Sequence, residues 1–135
     1  MLIFEKKYQK PLKNNDIEVP NILYHITQKC YVTKIKQKGL IPKSGNKLSE
    51  HPERIYFLTS KPREDILWRI AKQIFIQNDS NEYVERNAMV LLTIDITKVK
   101  NKLKFYSDPN ADECVYTYDN ISPKLITKME KIKGT

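Results

Sequence analysis

Residues 22–27, with the sequence ILYHIT, are the stretch from which the fold can be predicted. A short apolar run between a proline and a threonine is typical of a buried strand. Apolar residues then recur at helical spacing, Thr27 is able to cap this helix, and Gly39 is placed to end it. The sequence therefore predicts a strand followed by a helix that ends at Gly39.

The rest of the chain repeats this unit once and then changes to strands. We predict a second helix with Thr59 or Ser60 as its cap, Pro62 in its first turn and an end near Asn78. The remaining apolar or alternating stretches predict strands, at residues 55–58, 89–96, 104–106, 113–118 and 125–132. The last of these should place Leu125, Thr127, Met129 and Lys131 on one side. Strand–helix–strand–helix followed by strands indicates an α+β fold with a largely antiparallel sheet, and residues 89–96 are apolar enough to be central.

The composition is typical of one folded domain over residues 1–135, preceded by a polar N-terminal segment at residues 1–16. The net charge is +8, and residues 1–60 carry 11 basic and five acidic residues, which favours polyanionic partners. No window is apolar enough for a membrane span, and the first residues do not form a signal peptide. Two cysteines that lie far apart indicate reduced thiols, so we expect a monomeric cytoplasmic protein.

Several common sites are excluded by the sequence. Three glycines are too few for a glycine-rich phosphate loop of either common kind. His25 and His51 are the only histidines, so we expect no zinc site and no other metal. Residues 43–54 form a long polar stretch without periodicity, which favours a binding loop.

Three residues are candidates for chemistry, and each also has a structural interpretation. His25 stands near the end of the first strand, where it can be a hydrogen-bonded structural histidine. Tyr56 lies in an apolar strand and can be a core residue. Glu113 begins a strand after a turn, where a carboxylate is costly unless it is exposed, paired or functional.

In combination, these residues resemble the ADP-ribosyltransferase superfamily, in the branch with a His–Tyr–Glu triad that includes the poly(ADP-ribose) polymerases. The resemblance covers about residues 22–127. It is carried by LYHIT at 23–27, IKQKGL at 35–40, IYF at 55–57, and ECVY at 113–116 with ISP at 121–123. It implies split, mainly antiparallel β-sheets with two flanking helices.

The same resemblance implies a glycosyltransferase that uses NAD as a substrate and releases nicotinamide. Glu113 would orient a ribose hydroxyl and stabilise an oxocarbenium-like transition state. Tyr56 would stack on nicotinamide, and His25 would bind a ribose hydroxyl. Thr27 is a weaker candidate for assisting His25. Trp68, twelve residues after Tyr56, would be a second stacking aromatic, or would pack on its own helix.

Two other functions remain open. The chain is also similar to tRNA 2′-phosphotransferases, which rely on basic residues, chiefly arginines. Here only Arg54 lies beside a motif strand, where it would contact the cofactor. The third possibility is a non-catalytic module that binds NAD, ADP-ribose or nucleic acid. For the transferase, the acceptor would be a protein or a nucleic acid.

Overall fold

The structure is a computed structural model, and it describes residues 19–42, 54–78, 89–107 and 113–132. The strands are β1 (Ile22–Gln28), β2 (Ile55–Leu58), β3 (Met89–Asp95), β4 (Phe105–Ser107), β5 (Cys114–Thr117) and β6 (Ile126–Lys131). The helices are α1 (Val32–Lys38) and α2 (Glu64–Asn78). Short 3-10 helices lie at Lys29–Tyr31, Lys100–Lys102 and Pro123–Leu125.

All six strands belong to one antiparallel sheet with the order β4-β5-β2-β1-β3-β6. The predicted α+β class with an antiparallel sheet and two helices is confirmed. The central position of β3 is confirmed too, because it pairs with β1 along its whole length and with β6 on its other side. The family resemblance implies split sheets, whereas these strands form one continuous sheet. The pairing of β1 with β2 is the shortest in the sheet, with a single registered pair, Tyr24 opposite Leu58.

The two faces of the sheet bury two separate groups of apolar side chains. On one face, β1, β2 and β3 contribute Leu23, Phe57 and Leu92 to the main core, against which Ile35 of α1 packs. On the other face, α2 packs over β1 and β3 and buries Leu91 beneath it. Strand alternation sends neighbouring residues to opposite faces, so both helices find an apolar surface.

Both helices begin later than the sequence predicts. Thr27 does not cap α1, because it pairs with Val90 of β3, and β1 continues beyond it. Nor do Thr59 and Pro62 belong to the first turn of α2, which begins at Glu64. The hydroxyl of Thr59 instead donates to the carbonyl oxygen of Glu113, at 3.0 Å. In both cases a cross-strand partner replaces the local cap. The predicted end of α2, at Asn78, is confirmed.

Gly39 ends α1 as predicted, and the structure adds a reason why glycine is needed. Its φ angle is +78°, and its N–H donates to the carbonyl of Ile35 at 2.7 Å. A β-carbon at this position would overlap the carbonyl oxygen of Ile121. The next residue, Leu40, exchanges two main-chain hydrogen bonds with Ile121, both at 2.9 Å. Two stretches that are distant in sequence, residues 35–40 and 121–123, therefore meet.

The last strand departs from simple alternation. The register of β3 with β6 shifts between Thr93 and Ile94, so that Ile126 and Met129 both reach the main core. The expected grouping is confirmed for Met129 and Lys131, which lie opposite Leu92 and Val90 of the main core. Leu125 also packs on that core, as expected. The β-bulge at Thr127 interrupts the period of two and brings Ile126 to the same side.

Cys30 and Cys114 are both free thiols. Of the two helices in the described part of the chain, neither is long and apolar enough to span a bilayer. The segment at residues 1–16 and most of the predicted binding loop, residues 43–53, lie outside the described residues.

Candidate active site

The three predicted catalytic residues lie on neighbouring parts of the sheet. His25 is on β1, Tyr56 is on β2, and Glu113 directly precedes β5. Because β2 lies between β1 and β5, the backbones of His25 and Glu113 are separated by two strand spacings, roughly 10 Å across the sheet. The topology thus brings together residues that are almost ninety positions apart in sequence.

His25 is held in one tautomer by the main chain of β2. Its Nδ1 lies 2.7 Å from the carbonyl oxygen of Tyr56, and a carbonyl only accepts hydrogen bonds, so Nδ1 carries the proton. In the neutral ring Nε2 is then an acceptor. The ring also packs on Phe57, at 5.7 Å between ring centres.

Burial lowers the pKa of His25 below its ordinary value of 6.5, and the bond to Tyr56 opposes this shift without cancelling it. At neutral pH the ring is therefore an uncharged hydrogen-bond acceptor, suited to bind a hydroxyl group.

Glu113 has an unusual backbone conformation. Its φ angle is +62°, the only positive φ of a non-glycine residue in the described ranges. The sequence predicts that Glu113 begins a strand, but this conformation places it in a turn, and β5 starts at Cys114. Two hydrogen bonds hold the turn, since the N–H and the hydroxyl of Thr59 both donate to the carbonyl of Glu113, at 2.9 and 3.0 Å. Such conformations cost about 1–3 kcal/mol and cluster at functional sites. The residue itself is exposed.

Tyr56 belongs to a group of aromatic rings that surrounds Arg54. The ring of Tyr56 is 37% exposed and lies 5.8 Å from the ring of Tyr116. The guanidinium of Arg54 is 4.3 Å from the centre of the Tyr116 ring and 5.6 Å from that of Tyr56. Arg54 is only 4% exposed, and burial raises the pKa of Tyr116. Arg54, predicted to contact the cofactor, is thus buried among rings.

The side chains of His25 and Tyr56 leave the sheet on different faces. Tyr56 pairs with Tyr116 and shares its face, whereas Phe57, the ring neighbour of His25, belongs to the main core on the other face. The link between His25 and Tyr56 is the hydrogen bond at the junction of β1 and β2. The convergence of His25, Tyr56 and Glu113 on one ligand stays a prediction.

The other two predicted binding residues have contrasting surroundings. Thr27 is 8% exposed and lies within β1. Trp68 is on α2 and 36% exposed, next to Leu67, which packs on the sheet. Trp68 is therefore accessible to a ligand, whereas Thr27 is largely enclosed. Their contact with a cofactor also stays a prediction.

The structure adds aromatic residues that were not among the sequence candidates. We define the tyrosine face as Arg54, Tyr56, Tyr106, Tyr116 and Tyr118. Its rings lie 5.6–5.8 Å apart, and the register aligns Tyr56, Tyr116 and Tyr106 across three strands. The alternation of tyrosines at 116 and 118 was a usable signal, because alternate residues of a strand share a face.

A small cleft lies elsewhere, between the start of α2 and β6. Its volume is about 110 Å³, and the ion pair of Lys61 with Glu130, at 3.1 Å, lies in its wall. None of the predicted site residues lines it. Pockets for drug-sized ligands measure roughly 300–1,000 Å³, so this cleft is too small for a dinucleotide.

In the part of the chain that the structure describes, no group of three or more His, Cys, Asp or Glu residues could hold a metal ion. No family model matches the sequence, and neither does any curated protein.

Proposed function

We propose that the protein is an NAD-dependent ADP-ribosyltransferase that transfers ADP-ribose to an acceptor and releases nicotinamide. The observation that carries the proposal is the hydrogen bond between His25 Nδ1 and the carbonyl of Tyr56. It orients a neutral imidazole at the junction of the first two strands and leaves Nε2 as an acceptor. Tyr56 on the adjacent strand and Glu113 directly before the next one have backbones near that of His25, although the side chains of His25 and Tyr56 leave opposite faces of the sheet.

Each residue has a defined role in this reaction. Nε2 of His25 accepts a hydrogen bond from a ribose hydroxyl and positions the sugar. The exposed ring of Tyr56 stacks on nicotinamide. The bond between nicotinamide and ribose C1′ breaks, and its electron pair leaves with nicotinamide. The acceptor nucleophile then bonds to C1′ and loses its proton. The carboxylate of Glu113 accepts from a ribose hydroxyl and stabilises the positive charge that develops on the sugar.

The strained turn at Glu113 is consistent with this role. Thr59 fixes the main chain of Glu113 with two hydrogen bonds, while the residue remains exposed. A carboxylate on a fixed backbone loses little entropy when it binds a sugar hydroxyl. Preorganised charge of this kind is usually the largest electrostatic contribution to catalysis.

The proposal can be tested by measuring nicotinamide release from NAD, with and without cell extract as a source of acceptors. We expect Glu113→Gln to reduce the rate roughly 10²-fold, the scale for removing one electrostatic stabiliser. Glu64→Gln is the matched control, since Glu64 is an exposed carboxylate on α2. If the wild-type protein releases no nicotinamide in either condition, the proposal is wrong.

The position of Arg54 bears on the phosphotransferase alternative. A phosphate-binding arginine must present its guanidinium to the ligand, whereas Arg54 is 4% exposed and lies against Tyr116. An RNA with an internal 2′-phosphate distinguishes the two reactions. Under our proposal, the wild type leaves that phosphate in place. Arg54→Lys therefore has no phosphate-removing activity to lose.

A further inference from the structure

One part of the sheet is covered by aromatic residues and by no described helix. Helix α2 packs over β1 and β3 and reaches the edge of β2 at Leu58. The same face of β2, β5 and β4 carries the tyrosine face in its place. Tyr56 and Tyr118 are the most exposed of its rings, at 37% and 36%. Exposed apolar patches on soluble proteins often mark surfaces that bind a partner or a ligand.

The inner members of the tyrosine face give the outer ones a rigid support. Tyr116 is 1% exposed and lies between Tyr56, Tyr106 and Tyr118, whose ring centres are 5.6–5.8 Å away. The guanidinium of Arg54 is 4.3 Å from the centre of the Tyr116 ring. Rings held in this way can bind a flat ligand without first losing rotational freedom, which favours stacking.

A lysine lies beside these rings. The first registered pair of β4 with β5 is Phe105 opposite Thr117, and Lys104 and Tyr118 are the next residues on the two strands. The carboxylate of Asp119, the residue after Tyr118, accepts a hydrogen bond from the main-chain N–H of Lys104 at 2.9 Å, and Lys104 is exposed. A polyanion at this edge of the tyrosine face therefore meets the side chain of Lys104.

We propose that the tyrosine face binds single-stranded nucleic acid, with bases stacked on Tyr118 and Tyr106 and the phosphate backbone beside Lys104. Aromatic rings beside a basic side chain are the combination by which proteins hold unpaired bases. A duplex offers phosphates but keeps its bases stacked inside, so it would contact Lys104 without using the rings.

This site also suggests the acceptor of the transferase reaction, and that extension rests on the proposed function. Tyr56, which we assign to nicotinamide, is itself a member of the tyrosine face, and its ring centre lies 5.8 Å from that of Tyr116. A strand stacked on Tyr118 would then lie beside the sugar that becomes reactive. The binding of nucleic acid does not depend on this extension.

The test measures the affinity of the whole protein for fluorescent oligodeoxythymidylate and oligouridylate by anisotropy, at low and high salt, with duplex DNA of the same length for comparison. We expect both single strands to bind more tightly than the duplex. Tyr118→Leu should weaken binding roughly 5- to 100-fold, the range for losing one base stack, whereas Tyr118→Phe should retain it. Lys104→Gln should reduce the slope of log affinity against log salt concentration by about one, because one phosphate contact is lost.

Tyr31→Leu is the matched control. Tyr31 is 43% exposed and lies on a 3-10 helix, Lys29–Tyr31, outside the tyrosine face, so its loss should leave affinity unchanged. The proposal is overturned if the wild type binds neither single strand at low salt. It is equally overturned if duplex binds as tightly, or if Tyr31→Leu weakens binding as much as Tyr118→Leu. Nicotinamide release by the same samples is measured separately. If the protein binds single strands but releases no nicotinamide, the transferase proposal and the acceptor role are both wrong. If it releases nicotinamide but binds no single strand, only the proposed tyrosine-face site is wrong.

Discussion

Two regions on one face of the sheet have contrasting surfaces. Over β1 and β3, helix α2 encloses apolar residues, of which Leu91 and Ala71 are fully buried. Over β2, β5 and β4, the tyrosine face occupies the corresponding position, and two of its rings are exposed. Both regions share one hydrogen-bonded sheet. On this face, the apolar contacts that stabilise the sheet lie under α2, whereas the tyrosine face exposes aromatic surface that the α2 region and the main core on the opposite face allow the fold to tolerate.

The largest difference between the two regions should appear in stability. Leu91 is completely buried on central strand β3, beneath α2. Leu91→Ala should lower the free energy of unfolding by about 2–5 kcal/mol, since it removes apolar contacts and leaves a cavity. Tyr118→Leu, on the tyrosine face, should lower it by less than about 1 kcal/mol, because the side chain is partly exposed.

Urea denaturation monitored by circular dichroism gives both free energies. Equal losses in the two variants would contradict the division of the sheet into a stabilising and a binding region. The tryptophan fluorescence of Trp68, on α2, provides a second probe of the same transition.

A smaller effect is expected directly before β5, where Glu113 has a φ angle of +62°. Glycine adopts this conformation without the steric penalty of a β-carbon, whereas alanine retains that penalty. Glu113→Gly should therefore be more stable than Glu113→Ala by about 1 kcal/mol, and both should lose nicotinamide release. Thermal denaturation and the release assay measure the two properties on the same samples.

If Glu113→Ala equals Glu113→Gly in stability, the turn is not strained. Backbone strain would then give no support to the proposed role of Glu113. Cys114→Ala, at the next position in regular strand conformation, is the control for truncation at this end of β5.

The sequence was sufficient for the class of fold and for the order of most elements, because these depend on local patterns. The apolar run at β3 and the glycine at position 39 each have one physical explanation, and both were predicted. The helix starts were wrong because Thr27 and Thr59 bond to other strands, which no local pattern reveals. The strained turn at Glu113 and the stacking of Arg54 on Tyr116 also depend on partners that are distant in sequence. For the candidate site, the sequence was sufficient to identify the candidate residues. The face of the sheet on which each side chain lies became known only from the strand register.

His25 is on β1 beside the junction with β2, where the two regions meet, and its side chain is on the opposite face of the sheet. Its titration should produce the smallest effect. Burial lowers its pKa in the folded protein below 6.5, the value expected when the chain is unfolded. As the pH falls below 6.5, the unfolded chain binds a proton that the folded protein does not, so the free energy of unfolding decreases. The contribution is complete above 6.5 and is lost as the pH falls through the lower, folded-state pKa.

His25→Asn isolates this contribution, because asparagine does not titrate and its side-chain amide can still donate to the carbonyl of Tyr56. We expect the stability difference between wild type and His25→Asn to shift against the wild type as the pH is lowered from above 6.5. His51→Gln removes the other histidine and should leave that shift in place. Denaturation curves across this pH range decide the matter. If the stability of His25→Asn falls with pH as much as that of the wild type, other groups cause the loss. The neutral imidazole on which the proposed sugar contact depends is then not maintained by burial at this junction.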